Sequence, residues 1–199
     1  MRFTLPLIVL ALGLTACSDS PSSHDFSSDV EECKANLQAI YGGLTVYQHE
    51  RGGLPEKGGV PFFVALISSG QWENDAAHAR ILTCPGVSPD EIAIKGKAPE
   101  TWYTDISKVD GNWSSYAARD IEKFPLEVFP GPGTEAIVAC DNHHGLNHAE
   151  ATNVLMADGS ILSLELGTEI ELGNLPEGTT NIVIGAKSLL PELQTLTLD

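Results

Sequence analysis

Half of the six histidines, His143, His144 and His148, lie between Asp141 and Asp158. Together these side chains offer enough nitrogen and oxygen donors for a zinc ion, which takes about four ligands. Asp141, Asn142 and Asp158 are also hard oxygen donors of the kind calcium takes, although EF-hand spacing is absent. The pattern is not that of a helical His-Glu-x-x-His site. His143 and His144 are adjacent, so on a strand they point to opposite faces and only one reaches a metal shared with His148. The simpler reading is structural. His148 hydrogen-bonds a backbone group or the Asp158 carboxylate and ties the preceding loop to a hairpin turn at Asp158-Gly159. Ser160, His148 and Asp158 can be written as a triad, but nothing orders them and no Gly-x-Ser-x-Gly elbow is present. No catalytic residue is assigned, and the chain reads as non-enzymatic. A metal-binding protein or metal-dependent hydrolase centred on Asp141, His143, His144, His148 and Asp158 is the alternative.

The elements around these residues follow from periodicity and turn chemistry. Val154-Leu155-Met156 and Ile161-Leu162 flank Asp158-Gly159, and apolar runs about Asp-Gly are a strong hairpin signal, with a type I′ turn expected. Glu135 to Cys140, "EAIVAC", is an apolar run of strand length. Upstream, Ser28 with Glu31, or Asp29 with Glu32, forms a capping box. Val30, Cys33, Leu37, Ile40, Tyr41, Leu44 and Tyr47 then recur at helical spacing, up to Arg51-Gly52-Gly53. Gly42-Gly43 within this helix costs about 1 kcal/mol per glycine relative to alanine, which points to a bend or a close backbone approach. A second helix starts at Pro61 and buries Phe62, Phe63, Leu66 and Ile67, ending at Gly70. Beyond it come a short helix or turn, an extended Ile81-Leu82 stub, and a loop-rich stretch. There Trp72, Trp102, Tyr103, Trp113 and Tyr116 read as packing residues in preference to a ligand platform. "TEIEL" and "TNIVIG" suggest further strands, with Glu165, Glu169 and Glu171 on a solvated face, and Leu189 to Leu193 suggests a last helical turn.

Four cysteines are present. Cys84 and Cys140 end extended segments, and a bridge between them would stabilise the fold by about 4 kcal/mol on the chain-entropy model. Cys33 falls on a helical face as a buried thiol. No Cys-x-x-Cys pair exists, which excludes thioredoxin-like and zinc-ribbon sites. The formal charge of −16 argues against nucleic acid and anionic lipid surfaces as partners, since both require basic patches.

The N-terminus reads as a leader. Arg2 precedes the apolar stretch Leu5 to Leu12, which is too short to span a bilayer. Leu14-Thr15-Ala16-Cys17 resembles the bacterial lipobox, which implies a signal peptide over 1–16. Cleavage would fall before Cys17, whose thiol takes a diacylglycerol and whose amine takes a further acyl chain such as palmitate. Such chains anchor stably, because each buried methylene contributes about 0.8 kcal/mol. Ser18 in place of Asp after the cysteine favours the outer membrane. Residues 17–28 then form a lipidated, Ser-rich tether, and 29–199 form one globular domain facing the periplasm.

"ECKANLQAIYGGLTVYQHERGGLP" resembles the segment that follows the apolar stalk of pilins and type II secretion pseudopilins, and "PFFVALISSG" and "ILTCP" resemble what comes next in such proteins. His148, nine residues, and Asp158-Gly159, set in Asn153-Val154-Leu155, resemble the His-(nine)-Asp-Gly motif of prepilin-like envelope proteins. The resemblance implies an α+β fold in which a long N-terminal helix packs on an antiparallel sheet. It also implies envelope or secretion-system partners and, from pseudopilin habit, a calcium in a late loop. The chain departs from the family by carrying a lipobox where a Gly-Phe-x-x-x-Glu processing site and an apolar stalk would stand. A tethered domain fits better than a polymerising subunit.

Overall fold

The computed structural model describes residues 26–140, 147–148 and 150–199. Cys17, Asp141, His143 and His144 lie outside them. The fold is α+β, with helices set against a five-stranded antiparallel sheet. Helix α1 spans Phe26–Arg51, so it begins before the expected cap positions 28 and 29. Its inward stripe of Cys33, Leu37, Ile40 and Leu44 is fully buried. Gly52, with φ of 76°, follows its last residue, and its N–H closes on the Gln48 carbonyl. Helix α2, Val60–Ser68, has Pro61 in its first turn and buries Phe62, Phe63, Leu66 and Ile67. Gly43 lies where α1 meets α2, because a Cβ there would stand 2.8 Å from both Leu66 Cδ1 and Trp72 Cζ2. The close neighbours are side chains, not the backbone segment expected from the sequence.

Helix α3, Ala76–Ile81, is capped by the Asp75 carboxylate, which accepts from the N–H groups of Ala77 and His78. The expected Ile81-Leu82 stub is therefore the end of a helix. Short 3-10 turns fill much of residues 89–113. The expected platform aromatics are packing residues, with Trp102, Tyr103 and Tyr116 buried and Trp72 and Trp113 packed against the core.

The strands are β1 Tyr116–Arg119, β2 Ala136–Cys140, β3 Ala151–Met156, β4 Ile161–Glu165 and β5 Leu196–Thr197, in the order β4-β3-β2-β1-β5. Both sheet faces are covered. Tyr116, Ala118 and Leu155 face α1 and α2, whereas Ala117, Val154 and Met156 face Leu175, Ile182, Leu190 and Leu193. The β2 register shifts between Ala136 and Val138. This bulge lets Ile137 and Val138 join the same core and restores the alternation, so that Cys140 points toward α1.

Two expectations need correction in the C-terminal half. The hairpin turn is not type I′, because Gly159 has φ of 85° while no non-glycine residue has positive φ. Gly159 N–H donates to the Met156 carbonyl and Met156 N–H to that of Ser160, the pattern of a type I turn closed by a left-handed glycine. "TEIEL" is not a strand but belongs to helix α4, Leu166–Glu171. Glu and Leu favour helix, and Glu is depleted in strands. Glu169 is thereby buried and accepts from Asn174 Nδ2 at 2.8 Å. Residues 180–185 carry no strand, and the last helical turn is the 3-10 segment Pro191–Leu193.

Candidate metal centre

Four chemically capable side chains converge beneath α1. Cys33 comes from the second turn of that helix, Cys84 from the chain after α3, Cys140 from the last residue of β2, and His148 from the segment before β3. Cys33 Sγ lies 3.0 Å from Cys140 Sγ, and Cys84 Sγ lies 3.9 Å from it. His148 Nε2 is 3.3 Å from Cys84 Sγ and 3.4 Å from Cys140 Sγ. All four ligand atoms fall within 4.8 Å of one another, so the group could hold a metal ion. The three cysteines are free thiols at 0% exposure, and His148 is 1% exposed.

Local sequence explains how they are held. Just before β1, Ser115 Oγ accepts from the Cys84 N–H at 3.0 Å, and the Ser115 carbonyl accepts from Asn147 Nδ2 at 3.0 Å. Ser114 Oγ donates to the Leu82 carbonyl at 2.7 Å and accepts from the Tyr116 N–H. Two adjacent serines thus fix both the Cys84 loop and the His148 segment to the start of β1. Where those two segments cross, Gly86 is required, because a Cβ would overlap the Asn147 carbonyl and stand 2.9 Å from His148 Nδ1. The Tyr116 hydroxyl donates to Cys33 Sγ at 3.7 Å.

The electrostatics are those of thiols crowded in a dry core. Burial pushes Cys84 and Cys140 well above the usual thiol range. Burial also acts to raise Cys33, but hydrogen bonds from Cys140, Cys84 and His148 outweigh it, and its pKa falls. Burial, then the neighbouring Cys33 charge, raises Tyr116. His148 Nδ1 is buried without a hydrogen-bond partner among the described residues.

Of the ligands proposed from sequence, only His148 enters this cluster. Asp158 does not. It lies at the exposed hairpin turn, where its Oδ1 accepts from Ser160 N–H at 2.8 Å and Ser160 Oγ at 2.6 Å, and these bonds lower its pKa. The expected tie between His148 and Asp158 is therefore not made, since the imidazole turns to sulfur and the carboxylate caps its own turn. Asp141, His143 and His144 lie outside the described residues. The disulfide candidates Cys84 and Cys140 do meet, as free thiols, with Cys33 as a third member that sequence reasoning set apart. Cys33 and Cys140 are 107 residues apart, and no local spacing signals their meeting.

In comparisons with known proteins, no family model, curated protein or solved structure matches the chain.

Proposed function

We propose that this protein is a non-enzymatic, lipid-anchored component of the cell envelope, with a pilin-like domain facing the periplasm that serves as an interaction or assembly module. One observation carries this reading. Among the described residues, the group of Cys33, Cys84, Cys140 and His148 is sealed between a long N-terminal helix and an antiparallel sheet, not displayed in a cleft. A catalytic metal keeps an open position for water or substrate, whereas Cys33, Cys84, Cys140 and His148 supply four donors at 0–1% exposure. This disfavours a metal-dependent hydrolase, as does the separation of Asp158 from His148. Calcium finds no support in the cluster, whose donors include no oxygen.

The helix-on-sheet arrangement is consistent with the pseudopilin-like segment read from sequence. Asn153 Nδ2 of β3 donates to the Val30 carbonyl of α1 at 3.3 Å, joining the helix start to the hairpin strand. No helix of the described residues is long and apolar enough to cross a membrane. In this reading the anchor is the lipid on Cys17. Cys17→Ala should move the domain from the membrane to the soluble fraction, and unchanged sedimentation with membranes would sink the anchoring claim. Crosslinking in intact envelopes should capture secretion-system or other envelope proteins on the wild type.

A further inference from the structure

We infer that Cys33, Cys84, Cys140 and His148 bind one zinc ion in a closed, tetrahedral structural site. The inference goes beyond the envelope reading and stands without it.

The geometry is close to that of a filled site. With Zn–S near 2.3 Å and Zn–N near 2.05 Å, tetrahedral edges are about 3.8 Å between sulfurs and about 3.5 Å between sulfur and nitrogen. The Cys84–Cys140 edge is 3.9 Å, and the two His148 edges are 3.3 and 3.4 Å. Of these four edges, the Cys33–Cys140 edge, at 3.0 Å, must open by about 0.8 Å on the same tetrahedral estimate, and the other two edges of Cys33 lie within 4.8 Å. Three thiolates and one imidazole form a donor set typical of structural zinc, and softer than any calcium or magnesium site. Ligation through Nε2 places the remaining imidazole proton on Nδ1, the nitrogen that meets no partner among the described residues. The Tyr116 hydroxyl donates to Cys33 and offsets part of the negative charge that three thiolates bring.

Two alternatives account for less. Three unligated thiols and a histidine would bury a polar cluster with little hydrogen-bonding return. A Cys33–Cys140 disulfide would leave Cys84 and His148 with only each other, at 3.3 Å. Zinc uses all four side chains at once and withdraws the thiolates from oxidation. It also joins segments as far apart as Cys33 and His148. Cys33 is the first buried residue of α1 among those described, so in a chain tethered at Cys17 the ion sits where pull on the tether enters the fold.

The test uses the untagged full chain, extracted in detergent without chelator. Elemental analysis should find one zinc per chain, released in step with mercurial titration of Cys33, Cys84 and Cys140. Cys33→Ser, Cys84→Ser and Cys140→Ser should each lower zinc content at least tenfold, whereas His148→Cys should retain it with four sulfurs. Because serine variants can fail to fold, the wild type is also stripped under reducing conditions and refilled with cobalt(II). Intense visible bands of tetrahedral cobalt with thiolate charge transfer are expected, and this arm decides where zinc as isolated is substoichiometric. A chain that takes up neither ion, a weak octahedral cobalt spectrum, or a mapped disulfide among the three cysteines in the native protein would overturn the assignment.

Discussion

The glycine pair inside α1 gives a sharp test of how this helix is placed. Gly42 and Gly43 are neighbours in one helix and carry the same intrinsic penalty, about 1 kcal/mol relative to alanine. Their surroundings differ. A Cβ at Gly42 meets nothing within 4 Å, whereas one at Gly43 meets Leu66 Cδ1 and Trp72 Cζ2 at 2.8 Å and Trp72 Cε2 at 3.0 Å. Gly42→Ala should therefore realise the full helical gain of about 1 kcal/mol, raising Tm by about 2–4 °C for a chain of this size. Gly43→Ala makes the same gain but must push into a fully buried leucine and an indole, at a cost of about 1–3 kcal/mol. Its net effect falls between neutral and a loss of about 2 kcal/mol. The propensity term cancels in the comparison, so the two variants should differ by about 1–3 kcal/mol, all of it from packing. Urea unfolding of both, with Trp72 emission as a local probe, measures this. Gly43→Ala alone should shift the native emission. If both substitutions stabilise equally and leave the emission alone, α1 does not pack on α2 through Gly43, and the placement of Cys33 loses its support as well.

Gly159→Ala should cost about 1–3 kcal/mol, because φ is 85° and the new Cβ would stand 2.7 Å from the Tyr41 ring, whose edge contact with Phe129 spans 5.5 Å. A loss under about half a kcal/mol in urea unfolding, well below the usual left-handed penalty, would contradict it. Arg119 donates to the carbonyls of Phe124 and Ala136 and to the Glu135 carboxylate. Arg119→Met should cost about 2–3 kcal/mol by leaving buried acceptors unpaired, whereas Glu135→Gln, which keeps an acceptor, should cost less than about 1 kcal/mol. Equal losses from the two would show that the pair's charge, not carbonyl satisfaction, matters. Lys108, then Ser107, hydrogen-bonds the Asp105 carboxyl and holds it at about 2, below its ordinary 3.8. A depressed folded value means that its contribution is present above 3.8 and is lost as pH falls toward 2. Stability of Asp105→Asn should consequently fall less steeply over that acid window, and an identical acid limb in the two proteins would refute the pairing.

What the sequence determined by itself is local. Helical spacing from Val30 to Tyr47, Pro61 opening α2, the apolar run of β2 and the apolar segments about Asp158-Gly159 are each set by neighbours within a few residues. So is the buried stripe carrying Cys33 and Leu37. Local signals failed where two short-range preferences compete. Alternating "TEIEL" became a helix, and Asp-Gly closed a type I turn with one left-handed residue instead of two.

The site was a tertiary decision. His143, His144 and His148 stood together in the sequence and invited a local ligand set, yet of these the described residues hold only His148, and it turns to the sulfurs of Cys84 and Cys140. Cys33, Cys84 and Cys140 gain their meaning only when α1 crosses the sheet at Cys33. The β2 bulge must also turn Cys140 inward, and Ser114 and Ser115 must pin the Cys84 loop and the His148 segment to β1. Each condition depends on contacts between segments remote in the chain, whose register no spacing of residues records.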